Sequence, residues 1–227
     1  MSLDNFTHRA AAYAKGRPGY PKEAIDKIIK LASPTTVFAD IGAGTGKLTV
    51  EIAKQGYKLY AVEPNEDMRT QLALTLAPFD NAELITGTAE ATTLPDQCVD
   101  VLTIAHALHW FDPEAFRKEC YRIVKPGGFI IAIYNHVPGK EMTDFCRQAV
   151  DAFFTDPIIW TFDNPINYNR DTWLAYIESQ DDSVLPNEPG YDAFIKDLNA
   201  VFDRDSVNGM MCCDRLTRVY IEKVPDK

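Results

Sequence analysis

The segment of this chain with the clearest chemical meaning is a glycine loop between a predicted strand and a predicted helix. It reads D-I-G-A-G-T-G from Asp40 to Gly46. Glycine lets a backbone turn tightly and lets a ligand lie against it without Cβ atoms in the way. A dinucleotide fingerprint, G-x-G-x-x-G, would need glycine at position 47, where the chain has Lys47. The loop therefore disfavours pyrophosphate, and a carboxylate such as Asp40 suits a ligand that carries an ammonium group.

Two acidic residues follow the next two predicted strands. Glu63 lies 21 positions after Gly42, and an acid about 20 residues beyond such a loop typically accepts hydrogen bonds from ribose hydroxyls. Glu90 ends the polar turn Gly87–Glu90, which can border an adenine ring and accept a hydrogen bond from its amino group. Each feature also has a structural alternative, a simple turn for the loop and a solvated side chain for either acid. Their order at successive strand ends favours a nucleoside site.

The elements that must position these residues alternate between apolar strands and amphipathic helices. Asn65 and Asp112 are placed to cap two of the helices. The alternation predicts βαβ units and an open parallel sheet, in which ligands bind beyond the carboxyl ends of the strands. The predicted strands are Val37–Ile41, Leu59–Glu63, Glu83–Thr86, Val99–Ala105, Phe129–Tyr134 and a closing strand Met210–Val224; the predicted helices are Pro21–Ala32, Lys47–Gln55, Glu66–Ala77, Pro113–Val124, Lys140–Phe154, Asp171–Ser179 and Tyr191–Phe202, with Thr155–Asn169 as a loop.

Composition narrows the class of partner. The chain has 227 residues and a formal net charge of −10, which repels phosphate backbones and predicts no nucleic-acid partner. No apolar run approaches the roughly 18–20 residues that span a bilayer, and the N-terminus lacks a secretory pattern, so no membrane partner is expected. The five cysteines are odd in number and show no C-x-x-C spacing. We therefore expect reduced thiols, no metal site and a cytoplasmic protein.

These motifs together resemble the class I S-adenosylmethionine-dependent methyltransferases, in particular the small-molecule (type 11) group with a G-x-G-x-G first motif. The resemblance covers roughly Tyr13 to Tyr134, and Tyr13 with Gly16–Pro21 is similar to the lead-in of the trans-aconitate-methyltransferase-like branch. Other matching segments are Leu94-Pro95-Asp96 followed by Val99-Asp100-Val101, with Cys98 where serine is common, His109-Trp110-Phe111, and Val124-Lys125-Pro126-Gly127-Gly128.

The resemblance implies an α/β, Rossmann-like doubly wound fold: a mostly parallel seven-stranded sheet with helices on both faces and an antiparallel C-terminal strand. Residues 1–227 would form a single domain, with 1–20 over the cofactor and 135–190 as a cap on the substrate side. The implied cofactor is S-adenosyl-L-methionine. Asp40, Gly42, Ala43, Gly44 and Gly46 would hold its methionine portion and Glu63 its ribose; Pro64, Asn65, Met68, Ala89 and Glu90 would surround its adenine, with Tyr13, Arg17 and Ala105 beside the site.

His106 and His109 follow the fourth predicted strand, where the methyl group should be presented, and are the catalytic candidates. His106 could orient an acceptor oxygen or take its proton, since its reference pKa is near neutrality; alternatively it only lines the pocket. The implied partner is a small organic acceptor, possibly a carboxylic acid, and the assembly a monomer or homodimer. Two alternatives stay open: a cofactor-binding protein without turnover, and a nucleotide-dependent oxidoreductase, which the missing glycine at position 47 disfavours.

Overall fold

The computed structural model describes residues 6–139 and 144–226. Strands and helices alternate along the first two-thirds of the chain, as predicted. The helices are α1 (Ala10–Gly16), α2 (Lys22–Ile29), α3 (Thr49–Ala53), α4 (Glu66–Leu76), α5 (Pro113–Ile123), α6 (Asp144–Phe153), α7 (Arg170–Glu178) and α8 (Tyr191–Asp205). The strands are β1 (Val37–Ile41), β2 (Lys58–Val62), β3 (Ala82–Ile85), β4 (Val99–Ala105), β5 (Val124–His136), β6 (Ile158–Asp163), β7 (Ile166–Tyr168), β8 (Met211–Cys213) and β9 (Leu216–Lys223).

Seven strands form the central sheet in the order β3-β2-β1-β4-β5-β9-β6. The pairs among β1 to β5 are parallel, and β9 runs antiparallel to both β5 and β6. Strand order reverses between β1 and β4, where open α/β sheets bind ligands. The predicted Rossmann-like sheet with an antiparallel C-terminal strand is confirmed.

Helices cover both faces of this sheet because neighbouring strand residues point in opposite directions. Phe38 and Val101 pack into a buried cluster with α2 and α3, whereas Ala39 and Leu102 pack into a second cluster with α5 and α6. The predicted helix caps are also present. The side chain of Asn65 accepts a hydrogen bond from the backbone N–H of Met68 at 3.0 Å, and that of Asp112 accepts one from Ala115 at 2.8 Å.

Three predicted boundaries were wrong for identifiable reasons. The helix predicted from Lys47 begins at Thr49, because the glycine loop keeps turning through Gly46 at φ +89°. The predicted loop Thr155–Asn169 contains β6, which forms by pairing with β9, a partner distant in sequence. The predicted strand Met210–Val224 is split: β8 pairs with β7 in a two-stranded sheet, and β9 joins the central sheet. The first residues of the helix predicted from Lys140, residues 140–143, lie outside the described residues.

A small group of elements lies beside the main sheet. Tyr168, Phe202 and Met211 form its buried core, with Trp173 and Tyr176 packed against them. Helix α1 packs closely on α7: a Cβ added at Gly16 would lie 2.1 Å from the backbone nitrogen of Tyr176. The close approach needs glycine at that position, and it brings the N-terminal segment against the group formed by α7, α8, β7 and β8.

Candidate functional site

The glycine loop leaves the carboxyl end of β1 and is held against β2. The backbone N–H groups of Gly42 and Ala43 donate to the carbonyl oxygen of Val62 at 2.9 and 3.1 Å. Gly42, Gly44 and Gly46 all have positive φ, at +68°, +57° and +89°, a region in which other L-residues are strained. Glycine at these three positions therefore lets the loop form without backbone strain.

The three glycines have different surroundings. A Cβ at Gly42 would lie 2.7 Å from Cβ of Ala107, and one at Gly46 would lie 2.8 Å from Cδ1 of Leu72, whereas one at Gly44 would meet nothing within 4 Å. Gly44 faces open space that two cavities share. It is the glycine whose missing side chain leaves room for a ligand.

Two adjoining cavities lie at this end of the sheet, with volumes of about 270 Å³ and 100 Å³. Five residues line both of them and mark their junction: Tyr13, Gly42, Gly44, Ala105 and His106. The first cavity is also lined by Phe6, Glu63, Pro64, Asn65, Met68, Thr88, Ala89, Glu90, Ala107, Trp110 and Phe111. The second is also lined by Arg17, Pro18, Tyr20, Ala43, Thr45, Lys47, Leu48, Asn135, Tyr176 and Arg215.

Most residues proposed from the sequence therefore meet at one place. Those that line at least one cavity are Tyr13, Arg17, Gly42, Ala43, Gly44, Glu63, Pro64, Asn65, Met68, Ala89, Glu90, Ala105 and His106. Three of the proposed residues, Asp40, Gly46 and His109, line neither cavity. Each of these three residues packs against or hydrogen-bonds to other residues of the protein instead.

Glu63 stands at the end of β2 with its carboxylate fully oriented. Its Oε2 accepts a hydrogen bond from the backbone N–H of Gly44 at 2.8 Å, and its Oε1 accepts one from Asn65 at 2.9 Å. Burial raises the pKa of Glu63, and these two hydrogen bonds oppose the rise. Each carboxylate oxygen has a second lone pair. Glu63 can therefore hold the glycine loop and still accept a hydrogen bond from a ligand hydroxyl in the first cavity.

Asp40 is buried beneath the loop. Its side chain is 0% exposed, and its two oxygens accept hydrogen bonds from the hydroxyls of Thr49 at 2.6 Å and Thr103 at 2.8 Å. Burial raises the pKa of Asp40 to about 6, although both hydroxyls favour the charged form. The carboxylate therefore ties β1 to β4 and α3. Because the carboxylate lines neither cavity, its contact with a ligand ammonium group stays a prediction.

His106 lies at the junction of the cavities and follows β4 with φ +53°. Its Nε2 accepts a hydrogen bond from the backbone N–H of Asn135 at 2.6 Å, which places the proton of the neutral ring on Nδ1. Burial, followed by the charge of Arg17, lowers the pKa of His106 to about 3. The ring is therefore a neutral hydrogen-bond donor at this junction, and its one free lone pair is already used.

His109 packs away from both cavities. Its ring lies 4.8 Å from that of Trp110 and 5.4 Å from that of Phe145, measured between centroids. Its Nδ1 lies 3.3 Å from the hydroxyl of Tyr134 and 3.5 Å from Sγ of Cys146. Burial lowers the pKa of His109 to about 4. His109 therefore packs behind Trp110, which lines the first cavity, and itself lines neither cavity.

The N-terminal segment covers the junction and is fastened to the chain after α7. The guanidinium of Arg17 donates to the hydroxyl and carbonyl oxygens of Ser179 at 2.8 and 3.0 Å and lies 5.0 Å from the ring centroid of Tyr13. Arg9 donates to the side chain and carbonyl oxygen of Ser183. Arg17 thus faces the second cavity while two hydrogen bonds hold it to Ser179.

The edges of the first cavity come from three elements. Phe6 packs edge-on against both Tyr13 and Trp110, at 6.0 and 5.4 Å between ring centroids. Glu90 accepts a hydrogen bond from the backbone N–H of Asp112 at 3.0 Å, so one of its oxygens is tied to the start of α5. The first cavity is therefore largely apolar and has two carboxylates in its lining, those of Glu63 and Glu90. This combination fits a nucleoside.

The second cavity holds residues that sequence reasoning missed. In the sequence, Lys47 matters only because a dinucleotide fingerprint would have glycine at that position. In the structure, its Nζ donates a hydrogen bond to the carbonyl oxygen of Ala14 at 2.7 Å, and burial lowers the pKa of Lys47. Arg215 reaches the same cavity from the junction of β8 and β9. No spacing rule links Lys47 to Arg215, since only the folded chain brings them together.

The described residues contain neither a candidate metal site nor a helix that could span a membrane. Residues 6–139 and 144–226 contain no group of three or more histidine, cysteine or acidic side chains placed to hold a metal ion. Over the same ranges, none of the helices combines the length and apolarity that crossing a membrane requires.

Part of the chain is similar to known methyltransferases. Residues 39–132 match the Methyltransf_11 family, described as a methyltransferase domain. An uncharacterized methyltransferase of Mycobacterium tuberculosis is 38% identical over 135 residues, which cover 60% of this chain and 53% of the relative. The chain thus spans about half the length of the curated relatives it matches.

Solved structures agree in fold. A protein of Anaeromyxobacter dehalogenans, described as a candidate type II methyltransferase, superposes with a TM-score of 0.66 at 17% identity, covering 93% of this chain and 99% of that one. A phosphoethanolamine N-methyltransferase of Haemonchus contortus, solved with phosphomonomethylethanolamine and S-adenosylhomocysteine, has a TM-score of 0.56 at 14% identity, covering 100% of this chain and 61% of that one. The chain therefore has the class I, Rossmann-like fold of these structures, and its residues 39–132 match a methyltransferase domain.

Proposed function

We propose that this chain is an S-adenosylmethionine-dependent methyltransferase that acts on a small organic acceptor. The observation that carries the proposal is the junction of the two cavities at Gly44 and His106. A ligand that crosses Gly44 has one end in the larger, mostly apolar cavity and the other in the smaller, cationic one. S-adenosylmethionine has this division, with a nucleoside at one end and an amino acid at the other.

The residues present fit the nucleoside end. Glu63 offers a carboxylate whose position is set by Gly44 and Asn65, and ribose hydroxyls are donors that such an acid accepts. Pro64, Met68 and Ala89 supply apolar surface around an adenine ring. The S-adenosylhomocysteine in the Haemonchus methyltransferase supports this assignment by analogy of fold.

The amino-acid end finds polar partners in the second cavity. The hydroxyl of Thr45 is buried and has no hydrogen-bond partner within the described part of the chain, and a buried polar atom without a partner costs free energy. Lys47 follows the glycine loop, and Arg17 stacks beside Tyr13. Lys47 and Arg17 would hold the carboxylate of the methionine portion, and the hydroxyl of Thr45 would accept a hydrogen bond from its ammonium group.

Bound S-adenosylmethionine supplies a methyl group on a positively charged sulfur, which is already a good electrophile. The chain's own task is to hold the acceptor in line and to exclude water, and such orientation can contribute on the order of 7–11 kcal/mol. Tyr13 covers the junction, and the Nδ1–H of His106 can orient an acceptor oxygen. Of the two roles proposed for His106 from the sequence, the geometry supports orientation, because Nε2 is already a hydrogen-bond acceptor.

The acceptor class follows from the lack of a suitable base. Among the described residues that line the second cavity there is no carboxylate, and its histidine has no free lone pair. Burial raises the pKa of Tyr13 and of Tyr20, so both phenols stay protonated at neutral pH. A carboxylate oxygen needs no base to become a nucleophile. We therefore favour a small carboxylic acid as acceptor. A cytoplasmic location, a monomer or homodimer, and the absence of nucleic-acid or membrane partners remain predictions.

The test is a calorimetric titration with S-adenosylhomocysteine and with NAD⁺, repeated with Glu63→Ala. We expect micromolar binding of S-adenosylhomocysteine alone, weakened at least about tenfold by the loss of a charged hydrogen-bond partner. The matched control is Glu83→Ala, which removes an exposed glutamate of β3 and should leave the affinity unchanged. Thermal unfolding of each variant separates ligand loss from misfolding. A wild-type chain that ignores S-adenosylhomocysteine, or prefers NAD⁺, would overturn the proposal.

A further inference from the structure

The second cavity contains more positive charge than the proposed cofactor can balance. Its lining includes Arg17, Lys47 and Arg215 but no acidic side chain among the described residues. Within the same part of the chain none of these three cations forms a salt bridge. S-adenosylmethionine has a sulfonium, an ammonium and one carboxylate, so its binding adds a net positive charge. Half-buried cations that have no acidic partner attract an anion to the cavity.

The three cations divide by position. Lys47 directly follows the glycine loop, and Arg17 lies over Tyr13, at the junction of the cavities. Arg215 comes from a different part of the fold, the turn between β8 and β9, where its carbonyl oxygen accepts a hydrogen bond from the backbone N–H of Asn164 at 2.8 Å. Lys47 and Arg17 are therefore placed for the carboxylate of the cofactor, and Arg215 is left for another anion.

Arg215 also has donors to spare. Its Nη2 lies 3.3 Å from the hydroxyl of Tyr176, and its Nη1 lies 3.3 Å from the carbonyl oxygen of Asp214, both long for hydrogen bonds. The guanidinium stands 6.0 Å from the ring centroid of Tyr176. A guanidinium has five N–H donors in a planar fork that matches the oxygens of a carboxylate or phosphate. Tyr176 orients the guanidinium of Arg215 but does not neutralise its charge.

We infer that Arg215 is the residue that recognises the acceptor, by binding an oxyanion group, carboxylate or phosphate, that the acceptor carries in addition to its methyl-accepting atom. The inference rests on the proposed function, because it assigns Arg215 to the acceptor by first assigning Lys47 and Arg17 to the cofactor. A chain with a net charge of −10 repels anions over most of its surface. Arg215, which has no acidic partner in the second cavity, is then the group that attracts an anionic acceptor to this cavity.

The test is binding of small anions to the protein saturated with S-adenosylhomocysteine. Three probes are titrated by calorimetry at constant ionic strength: glutarate, inorganic phosphate, and uncharged glutaramide. We expect at least one anion to bind and glutaramide not to bind. Tighter binding of glutarate supports a carboxylate group on the acceptor, and tighter binding of phosphate supports a phosphorylated acceptor.

Variants assign the binding to the residue. Arg215→Gln should weaken the anion at least about tenfold, and Arg215→Lys should restore part of the affinity. Arg204→Gln removes the same charge from α8, where Arg204 pairs with Asp205, and should change nothing. S-adenosylhomocysteine should bind Arg215→Gln as it binds the wild type.

The two possible failures are distinguishable. Equal binding of glutaramide and glutarate, no anion binding at all, or unchanged anion affinity in Arg215→Gln would overturn the inference and leave the proposed function intact. Loss of S-adenosylhomocysteine affinity in Arg215→Gln would also overturn it, since Arg215 would then serve the cofactor. Failure of the wild type to bind S-adenosylhomocysteine would remove the proposed function and the inference together.

Discussion

The backbone N–H of Asn135 donates a hydrogen bond to Nε2 of His106 at 2.6 Å. This contact joins the ends of β4 and β5 beside both cavities. It uses the lone pair through which a neutral imidazole would accept a proton and leaves Nδ1–H as a donor. The same asparagine accepts a hydrogen bond from Thr217 through its side chain, at 2.6 Å, and donates one to the carbonyl oxygen of Gly19, at 3.1 Å. Asn135 therefore connects the sheet, the imidazole and the N-terminal segment.

The first prediction concerns the tautomer of His106. Because Nε2 accepts a hydrogen bond and the pKa of His106 is lowered to about 3, the ring should remain neutral, with its proton on Nδ1, from pH 5 to pH 8. Nitrogen-15 NMR of histidine-labelled protein reports both properties directly, and His106→Asn assigns the signal. A proton on Nε2, or a titration midpoint near 6.5, would show that His106 is available as a base.

The second prediction is a loss of stability in mild acid. The pKa of His106 is lowered to about 3 and that of His109 to about 4, so the unfolded chain takes up these protons near pH 6.5, before the folded chain does. Stability is thus complete above pH 6.5 and falls below it, by up to about 2 kcal/mol per histidine at pH 5. Asp40, whose pKa is raised to about 6, has the opposite sign and offsets part of the loss.

Urea unfolding at pH 7 and pH 5 measures this difference. The fall in unfolding free energy between the two pH values should be smaller in His109→Gln than in the wild type. His8→Gln, which replaces an exposed histidine, is the matched control and should follow the wild type. If His109→Gln shows the same fall as the wild type, burial of His109 is not responsible.

The third prediction separates two glycines of one loop. Gly44→Ala adds a methyl group where nothing lies within 4 Å, whereas Gly46→Ala adds one 2.8 Å from Cδ1 of Leu72 and 3.1 Å from Cγ2 of Thr75. Both carry the strain of a positive φ, about 1–2 kcal/mol. Gly44→Ala should therefore lose affinity for S-adenosylhomocysteine at least about tenfold and melt a few degrees lower through strain alone. Gly46→Ala adds a clash to the same strain and should melt earlier still. Equal losses of affinity in the two variants would contradict this division.

The fourth prediction concerns Asp40. Asp40→Asn preserves shape, and the hydroxyls of Thr49 and Thr103 can rotate to match an amide. Since the carboxylate faces these hydroxyls and lines neither cavity, affinity for S-adenosylhomocysteine should stay within about threefold of the wild type. A loss of tenfold or more, at unchanged melting temperature, would instead mean that the Asp40 carboxylate contacts the ligand's ammonium group.

Several strands, helix caps and site residues of this protein could be predicted from residues that are close together in the sequence. Short apolar runs predict the limits of β1 and β4. The helix caps at Asn65 and Asp112 are predictable because these side chains accept hydrogen bonds from the first turn of their helices. The glycine loop is predictable because its backbone needs positive φ. Glu63 could be placed because it ends the strand beside that loop. Each of these features depends on residues close in sequence or on the regular spacing of βαβ units.

Tertiary structure alone decided the rest, because the partners are far apart along the chain. β6 exists by pairing with β9, and the predicted closing strand is divided because β8 finds β7. Asp40 turned inward to Thr49 and Thr103, and His109 turned toward Tyr134 and Cys146.

The second cavity shows most clearly what local patterns predict and what only packing decides. Arg17, Lys47 and Arg215 carry no shared motif, and they face one cavity only after α1 has packed on α7 and β9 has entered the sheet. The sequence by itself determined the fold class and most residues of the first cavity, since both follow from local patterns. Only packing decided which cations line the second cavity, because side-chain direction depends on contacts that no local pattern records.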